Sequence, residues 1–223
     1  MATVDAVLFD VNETLVDFAP VADGFAAVGL DPRRLDAWWR GVLLDGIAAS
    51  AAGTHAAFPD LLRQHLETEL IAAGRRDDGG TDRLLALFPE LECHPDVAPA
   101  LRLLDEVGIR AVPFTNGSAS IARRALERAG LDGLVHDCWD VGAADRWKPA
   151  ADPYHWACDR LDVPRERVAL IAVHPWDVHG ALAAALQGAW VDRDGSRRWP
   201  SYFHAPTATG DQLDDTLRTL LAG

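Results

Sequence analysis

Residues Ala6 to Leu15 read AVLFDVNETL, an apolar run that ends on Asp10 and turns polar at Asn12, Glu13 and Thr14 before resuming. A continuous apolar run of this length predicts a strand covered on both faces, as in a parallel sheet. In open α/β sheets, ligands gather outside the carboxyl ends of the strands, so Asp10 is placed as a candidate nucleophile or ligand. An isolated aspartate after a strand is as readily a turn cap, and its company elsewhere in the chain decides between the two.

Working outward, Ile109 to Phe114, Val168 to Val173 and Gly188 to Val191 have the same continuous apolar character. Between them lie helical spacings. Ile121, Ala125, Leu126 and Ala129 share one face and stop at Gly130, a natural helix terminator. Asp152 before Pro153 predicts a helix start, with the aspartate as N-cap. The alternation predicts an α/β fold with a Rossmann-like parallel sheet core. Residues 16–92 break the alternation: helical spacing dominates, through Leu35, Trp38, Trp39, Val42, Leu43 and Ile47 and again over Phe58 to Ala73. The segment is far longer than a crossover helix needs. It is read as a helical cap domain (16–92) inserted into a core made of 1–15 and 93–223, with GRRDDGG at Gly74 to Gly80 as a polar turn between helices.

With 223 residues, 49% of them hydrophobic, the chain can bury a sizeable core. Its longest apolar runs fall far short of the roughly 20 residues that span a bilayer. The amino-terminal stretch lacks an export-signal pattern, so the expected location is the cytoplasm, with no membrane partner. Cys93, Cys138 and Cys158 are widely spaced and form no CxxC pair, which argues against a zinc site or a disulfide framework. A formal net charge of −13 repels phosphate backbones, and no nucleic acid is expected as a partner. The histidines make no ligand cluster, and neither a metal nor another cofactor is expected.

Asp10 and Thr14, then Thr115 in AVPFTNGS, Lys148 in RWKP and Asp177 in HPWD fall in order at strand or loop boundaries. This succession resembles the haloacid dehalogenase superfamily. Within it, FTNGS, Lys148-Pro149 followed by Tyr154, and Trp176-Asp177 before Gly180-Ala181 resemble the type II (S)-2-haloacid dehalogenases, as does Trp39-Arg40 in the cap. The likeness runs from about residue 5 to residue 193. It implies a metal-independent hydrolase in which Asp10 displaces halide from C2 of a small-molecule 2-haloacid, and it implies a homodimer. Lys148 is then expected to keep Asp10 ionised. Thr115 and the backbone N–H groups of Val11 and Asn12 would hold the substrate carboxylate. Arg40 and Asn116 would donate to the departing halide, with Thr14, Phe58, Tyr154 and Trp176 completing the pocket. For Arg40, an i,i+4 pair with Asp36 accounts for the spacing equally well.

Two motifs depart from the resemblance together. Asn12 stands where phosphatases of the superfamily carry a general acid, and Val173 stands where they carry a metal ligand. The dehalogenases carry Tyr-Gly and Ser-Asn at the positions of Asn12-Glu13 and Val173-His174. In a standard base arrangement a carboxylate holds one ring nitrogen of a histidine while the other takes a proton from water. Glu13 and His174 are therefore expected to activate water against the Asp10 ester, with Asp177 positioning Lys148 or the water. A magnesium-dependent phosphatase or phosphonatase-like hydrolase and a catalytically silent binding module are the alternatives.

Overall fold

The computed structural model describes residues 3–75, 78–195 and 198–223. The expected polar turn at Gly74 to Gly80 falls partly outside them, at Arg76 and Asp77. Among the described residues six strands form one parallel sheet: β1 (Ala6–Phe9), β2 (Arg110–Thr115), β3 (Trp139–Asp140), β4 (Val168–Ala172), β5 (Gln187–Val191) and β6 (Ala208–Gly210), in the order β3-β2-β1-β4-β5-β6. Every residue of β1 and β4 is buried, as a strand covered on both faces requires. Leu8 lies in register with Val112 on one side and with Leu170 on the other. After β1 the chain moves to one side of the sheet, and after β3 it returns to the other. The switch point therefore lies between β1 and β4, where a doubly wound sheet opens its crevice. Asp10 leaves β1 at that point, and His174 follows β4.

Helices α1 (Ala19–Ala27), α2 (Leu35–Ala51), α3 (Phe58–Ala72) and α4 (Gly80–Leu85) come between β1 and the next core helix, α5 (Val97–Val107). They pack on one another around Phe18, Phe25, Trp38, Trp39, Phe58 and Phe88, whose rings meet mostly edge to face. The core continues through α6 (Ala119–Ala129), α7 (Ala151–Leu161), α8 (Pro175–Ala183) and α9 (Leu213–Ala222). Gly130 ends α6 at φ 66°, as its sequence position predicts. Helix α7 corrects its expected start: Ala150 is the N-cap, and Asp152 and Pro153 sit inside the first turn. Strands β3 and β6 are short edge strands without an apolar run of their own. Cys138 and Cys158 are buried, Cys93 is half-buried, and burial pushes all three thiols up to about 11. No helix among the described residues is long and apolar enough to cross a membrane.

Helix α2 is held to the core at its far end. Ser50 Oγ accepts from the Trp147 backbone N–H (3.0 Å), and Arg146 Nη1 donates to the Ser50 carbonyl (2.8 Å). The Trp147 ring lies flat against Gly46, where an added Cβ would meet it at 2.4 Å. Trp147 is 1% exposed and has no room to retreat. A Gly46→Ala variant is expected to lose about 1–3 kcal/mol of stability by overpacking, despite the better helix propensity of alanine. Urea unfolding of parent and variant measures the difference.

Candidate active site

The turn after β1 carries five of the candidate residues, Asp10 to Thr14. Thr14 Oγ1 donates to Asp10 Oδ2 (2.9 Å) and accepts from the Val173 N–H (3.2 Å), which ties the β1 turn to the end of β4. The Arg193 guanidinium donates to the Thr14 carbonyl (2.6 Å) and pairs with Asp96 (2.6 Å), clamping the same turn from the other side. Glu13 takes a positive φ of 64°, a conformation that a non-glycine residue adopts only when its surroundings hold it there.

Lys148 is the only lysine of the chain, and it is completely buried. Its ammonium donates to Asp10 Oδ1 (3.0 Å), Asp177 Oδ2 (2.6 Å) and the Phe114 carbonyl (2.8 Å), so all three hydrogens are used. Tyr154 donates to Asp177 Oδ1 (2.5 Å), and burial together with that carboxylate pushes the phenol well above its usual value, so it stays a donor. One cation thus serves two carboxylates, and the cluster keeps one net negative charge. Burial alone would push the Lys148 ammonium down, but Asp10 and Asp177 more than offset it and hold it above the lysine value. Burial, together with repulsion from Asp10, raises the Asp177 carboxyl despite the Lys148 ammonium and Tyr154 hydroxyl bound to it.

His174, the N-cap residue of α8, stacks on Trp176 at 5.2 Å and 16°. Its Nε2 faces three oxygens: the Asn12 carbonyl at 3.3 Å, Glu13 Oε2 at 3.5 Å and Asp10 Oδ2 at 3.6 Å. This differs from the relay expected from sequence, in which Glu13 holds one ring nitrogen and the other faces water. Here a single ring nitrogen, Nε2, faces both Glu13 Oε2 and Asp10 Oδ2.

The other expected residues are placed as follows. Thr115 ends β2, and its Oγ1 accepts from the Gly117 N–H (2.9 Å), which leaves its own hydrogen free to donate. Asn116 is bound to the Lys148 backbone in both senses, accepting at Oδ1 (2.8 Å) and donating from Nδ2 (3.0 Å), so one of its N–H groups remains. Val11 and Asn12 are buried at the turn, and Asn12 Oδ1 is enclosed without a hydrogen-bond partner. Phe58 is buried among Trp39, Phe88 and Trp147, with its ring edge 3.2 Å from where a Cβ on Gly117 would stand. The structure does not bring Arg40 to Asp10. Its side chain is 77% exposed and lies 3.8 Å from Asp36, the i,i+4 pair that the spacing also allowed, at the rim of a cleft lined by Glu13, Trp39, His174 and Trp176.

Sequence reasoning missed two contributions. Gly117 admits Asn12 Nδ2, Phe58 and Thr115 Oγ1 within 3.2 Å of the space a side chain would fill. Trp39, read as a helix residue of the cap and as the neighbour of Arg40, donates from Nε1 to Glu13 Oε2 at 2.6 Å.

A doubly wound parallel sheet with an aspartate, a buried lysine and a second aspartate at its switch point, overlaid by helices inserted after β1, defines a class of hydrolases. The chain belongs to the haloacid dehalogenase-like hydrolases, whose family model matches residues 4–185. It is 28% identical over 204 residues to (S)-2-haloacid dehalogenase 4A from Burkholderia cepacia, covering 90% of this chain and 87% of that one. To haloacetate dehalogenase H-2 from a Moraxella species it is 27% identical over 206 residues, with 87% and 88% covered. The solved structure of an L-2-haloacid dehalogenase from Xanthobacter autotrophicus shares the fold, with a TM-score of 0.86 at 24% identity and 99% of both chains covered.

Proposed function

We propose that this chain hydrolyses short 2-haloalkanoic acids to 2-hydroxy acids and halide through an ester on Asp10. The observation that carries the reading is the buried Lys148 at 3.0 Å from Asp10 Oδ1, which balances and orients the carboxylate as a nucleophile at the carboxyl end of β1. The names of the Burkholderia and Moraxella relatives support it.

In the first half-reaction an Asp10 oxygen attacks C2, and the carbon–halogen electron pair leaves as halide. The Thr115 hydroxyl and the Val11 and Asn12 N–H groups hold the substrate carboxylate, which keeps C2 in line. The remaining Asn116 N–H and Arg40 donate to the halide as its charge develops. Arg40 has to leave Asp36 to do so, and an exposed pair of this kind holds it by only about 0–1 kcal/mol. Tyr154 orients Asp177, Thr14 orients Asp10, and Phe58 and Trp176 supply apolar walls.

In the second half-reaction water attacks Cγ of the ester. One of its protons passes to the His174–Glu13 pair, the acyl–oxygen bond breaks, the leaving alkoxide takes the proton of the newly formed Asp10 carboxyl, and the 2-hydroxy acid departs as the Asp10 carboxylate returns. Esterification neutralises Asp10, so Glu13 becomes the one carboxylate beside His174 Nε2 and draws the proton there. The inserted helices act as a cap over residues 16–92, and a cytoplasmic homodimer that needs no metal completes the reading. The donor set supports metal independence. Asp10 and Asp177 are engaged by Lys148, Thr14 and Tyr154, and Val173 offers no oxygen to a hard cation.

The test is halide release from chloroacetate, (S)-2-chloropropionate and fluoroacetate with a chelator present. Magnesium-dependent release of phosphate from a generic phosphate ester, with no halide release, would replace this reading by the phosphatase one. His174→Ala is expected to lower steady turnover about 10²-fold or more. It should still release one halide per site, leaving a carboxyalkyl group on the peptide that contains Asp10, as seen by mass spectrometry.

A further inference from the structure

Glu13 is the one member of the pair above that reaches out of the core toward the cap helices. Its backbone is fixed in a left-handed turn, but its side chain is 29% exposed and needs a second restraint to face His174. Trp39 supplies it. The indole Nε1–H donates to Glu13 Oε2 at 2.6 Å, and the same oxygen lies 3.5 Å from His174 Nε2. Trp39 has no freedom of its own, being 4% exposed and wedged against Phe18 (4.8 Å), Trp38 (6.0 Å) and Phe58 (6.1 Å). A rigid donor on a packed ring fixes an acceptor at little entropic cost.

The helix that carries Trp39 also reaches the lysine side of the site. Ser50, near the end of α2, binds the backbone of Trp147, the residue before Lys148. Seating α2 on the core therefore touches both halves of the machinery, but in different ways. At Lys148 the contact is made through the backbone of a neighbour, and at Glu13 it is made directly to the carboxylate.

We propose that Trp39 is a positioning residue for ester hydrolysis: its N–H fixes the Glu13 carboxylate beside His174, so the water-activating pair is complete only when α2 is seated. The inference rests on the dehalogenase reading given above. It separates the two half-reactions, because nothing in the displacement at C2 uses Glu13. Loss of one hydrogen bond to a charged group is expected to slow hydrolysis of the ester about 10–100-fold.

The test is Trp39→Phe, which keeps the ring packing and removes the donor, followed by rapid-quench measurement of halide with chloroacetate. The expected result is a first-turnover rate within about threefold of the parent, one halide per site released rapidly, and then the slower steady rate, with the Asp10 ester accumulating. Trp39→His restores a ring N–H and is expected to recover part of the hydrolysis rate. In a Glu13→Gln background, Trp39→Phe is expected to slow hydrolysis no further. A general loosening of the fold would slow both half-reactions together, and that outcome overturns the proposal, as does steady turnover equal to the parent without ester. If the parent itself releases no halide, the dehalogenase reading falls and takes this one with it. If the parent is active and only the Trp39 variants behave normally, this inference alone is lost.

Discussion

An Asp10→Ala variant is expected to lose halide release by on the order of 10⁴–10⁶-fold, the usual scale for removing a nucleophile, while unfolding at the same temperature as the parent or higher. The two halves of this expectation have one cause. Asp10 and Asp177 share a single ammonium in a site where neither carboxylate is more than 6% exposed. Removing Asp10 leaves Lys148 and Asp177 as a one-to-one pair and removes the like-charge repulsion, which offsets the small cavity and the lost Thr14 contact. The nucleophile is thus held against the preference of the fold, which is the stability–activity opposition expected where charge is concentrated for chemistry. Halide assays and thermal unfolding on the same preparation test both halves. A variant that unfolds far below the parent would show that Asp10 is a structural ion-pair partner first.

Lys148→Met is expected to be the opposite case, destabilising by about 3–5 kcal/mol because two buried carboxylates are left without their counter-ion. Turnover at neutral pH should fall about 10³-fold or more, since Asp10 loses the ammonium that balances and orients it for attack. The pH dependence follows from the directions of the shifts. The folded-state pKa of Lys148 lies above its ordinary 10.5, so its contribution is fully present below that value and is lost only as pH rises through the higher folded one. The Asp177 carboxyl is also raised, so it costs stability at neutral pH and returns it as pH falls through its folded value. The parent–variant difference is therefore expected to be widest near neutrality and to shrink at both extremes. Urea unfolding across pH tests this, and a difference that is flat from acid to alkali would contradict it.

The sheet was legible from residue order because its central strands are buried on both faces and must be continuously apolar. Strands β3 and β6 were not, because two or three residues at an edge need no such run. The start of α7 was misplaced by two residues at Asp152-Pro153, since a carboxylate inside the first turn meets the helix's positive end as well as one at the cap does. Asp10, Lys148 and Asp177 could be picked out from the motif order, and the structure brings both carboxylates within 3.0 Å of the Lys148 ammonium. Their surroundings were not readable. The hydrogen bonds of Asn116 to Lys148 and of Trp39 to Glu13 join residues that share no period, and only the folded chain shows which donors are already engaged. Arg40 shows the same limit: its spacing to Asp36 and its place in a cap motif pointed to different partners, and in this structure it lies against Asp36.

The basic residues of this chain number 21, and twenty are arginines, so the single lysine is a label already in place. Protein grown with nitrogen-15 lysine would give one side-chain resonance, free of overlap, from the ammonium between Asp10 and Asp177. Esterification of Asp10 removes one of its two anionic neighbours, and the frequency of that resonance should move as the ester forms and return as it is hydrolysed. Turnover then becomes visible as two interconverting signals from one nitrogen atom, without quenching the reaction or attaching a dye.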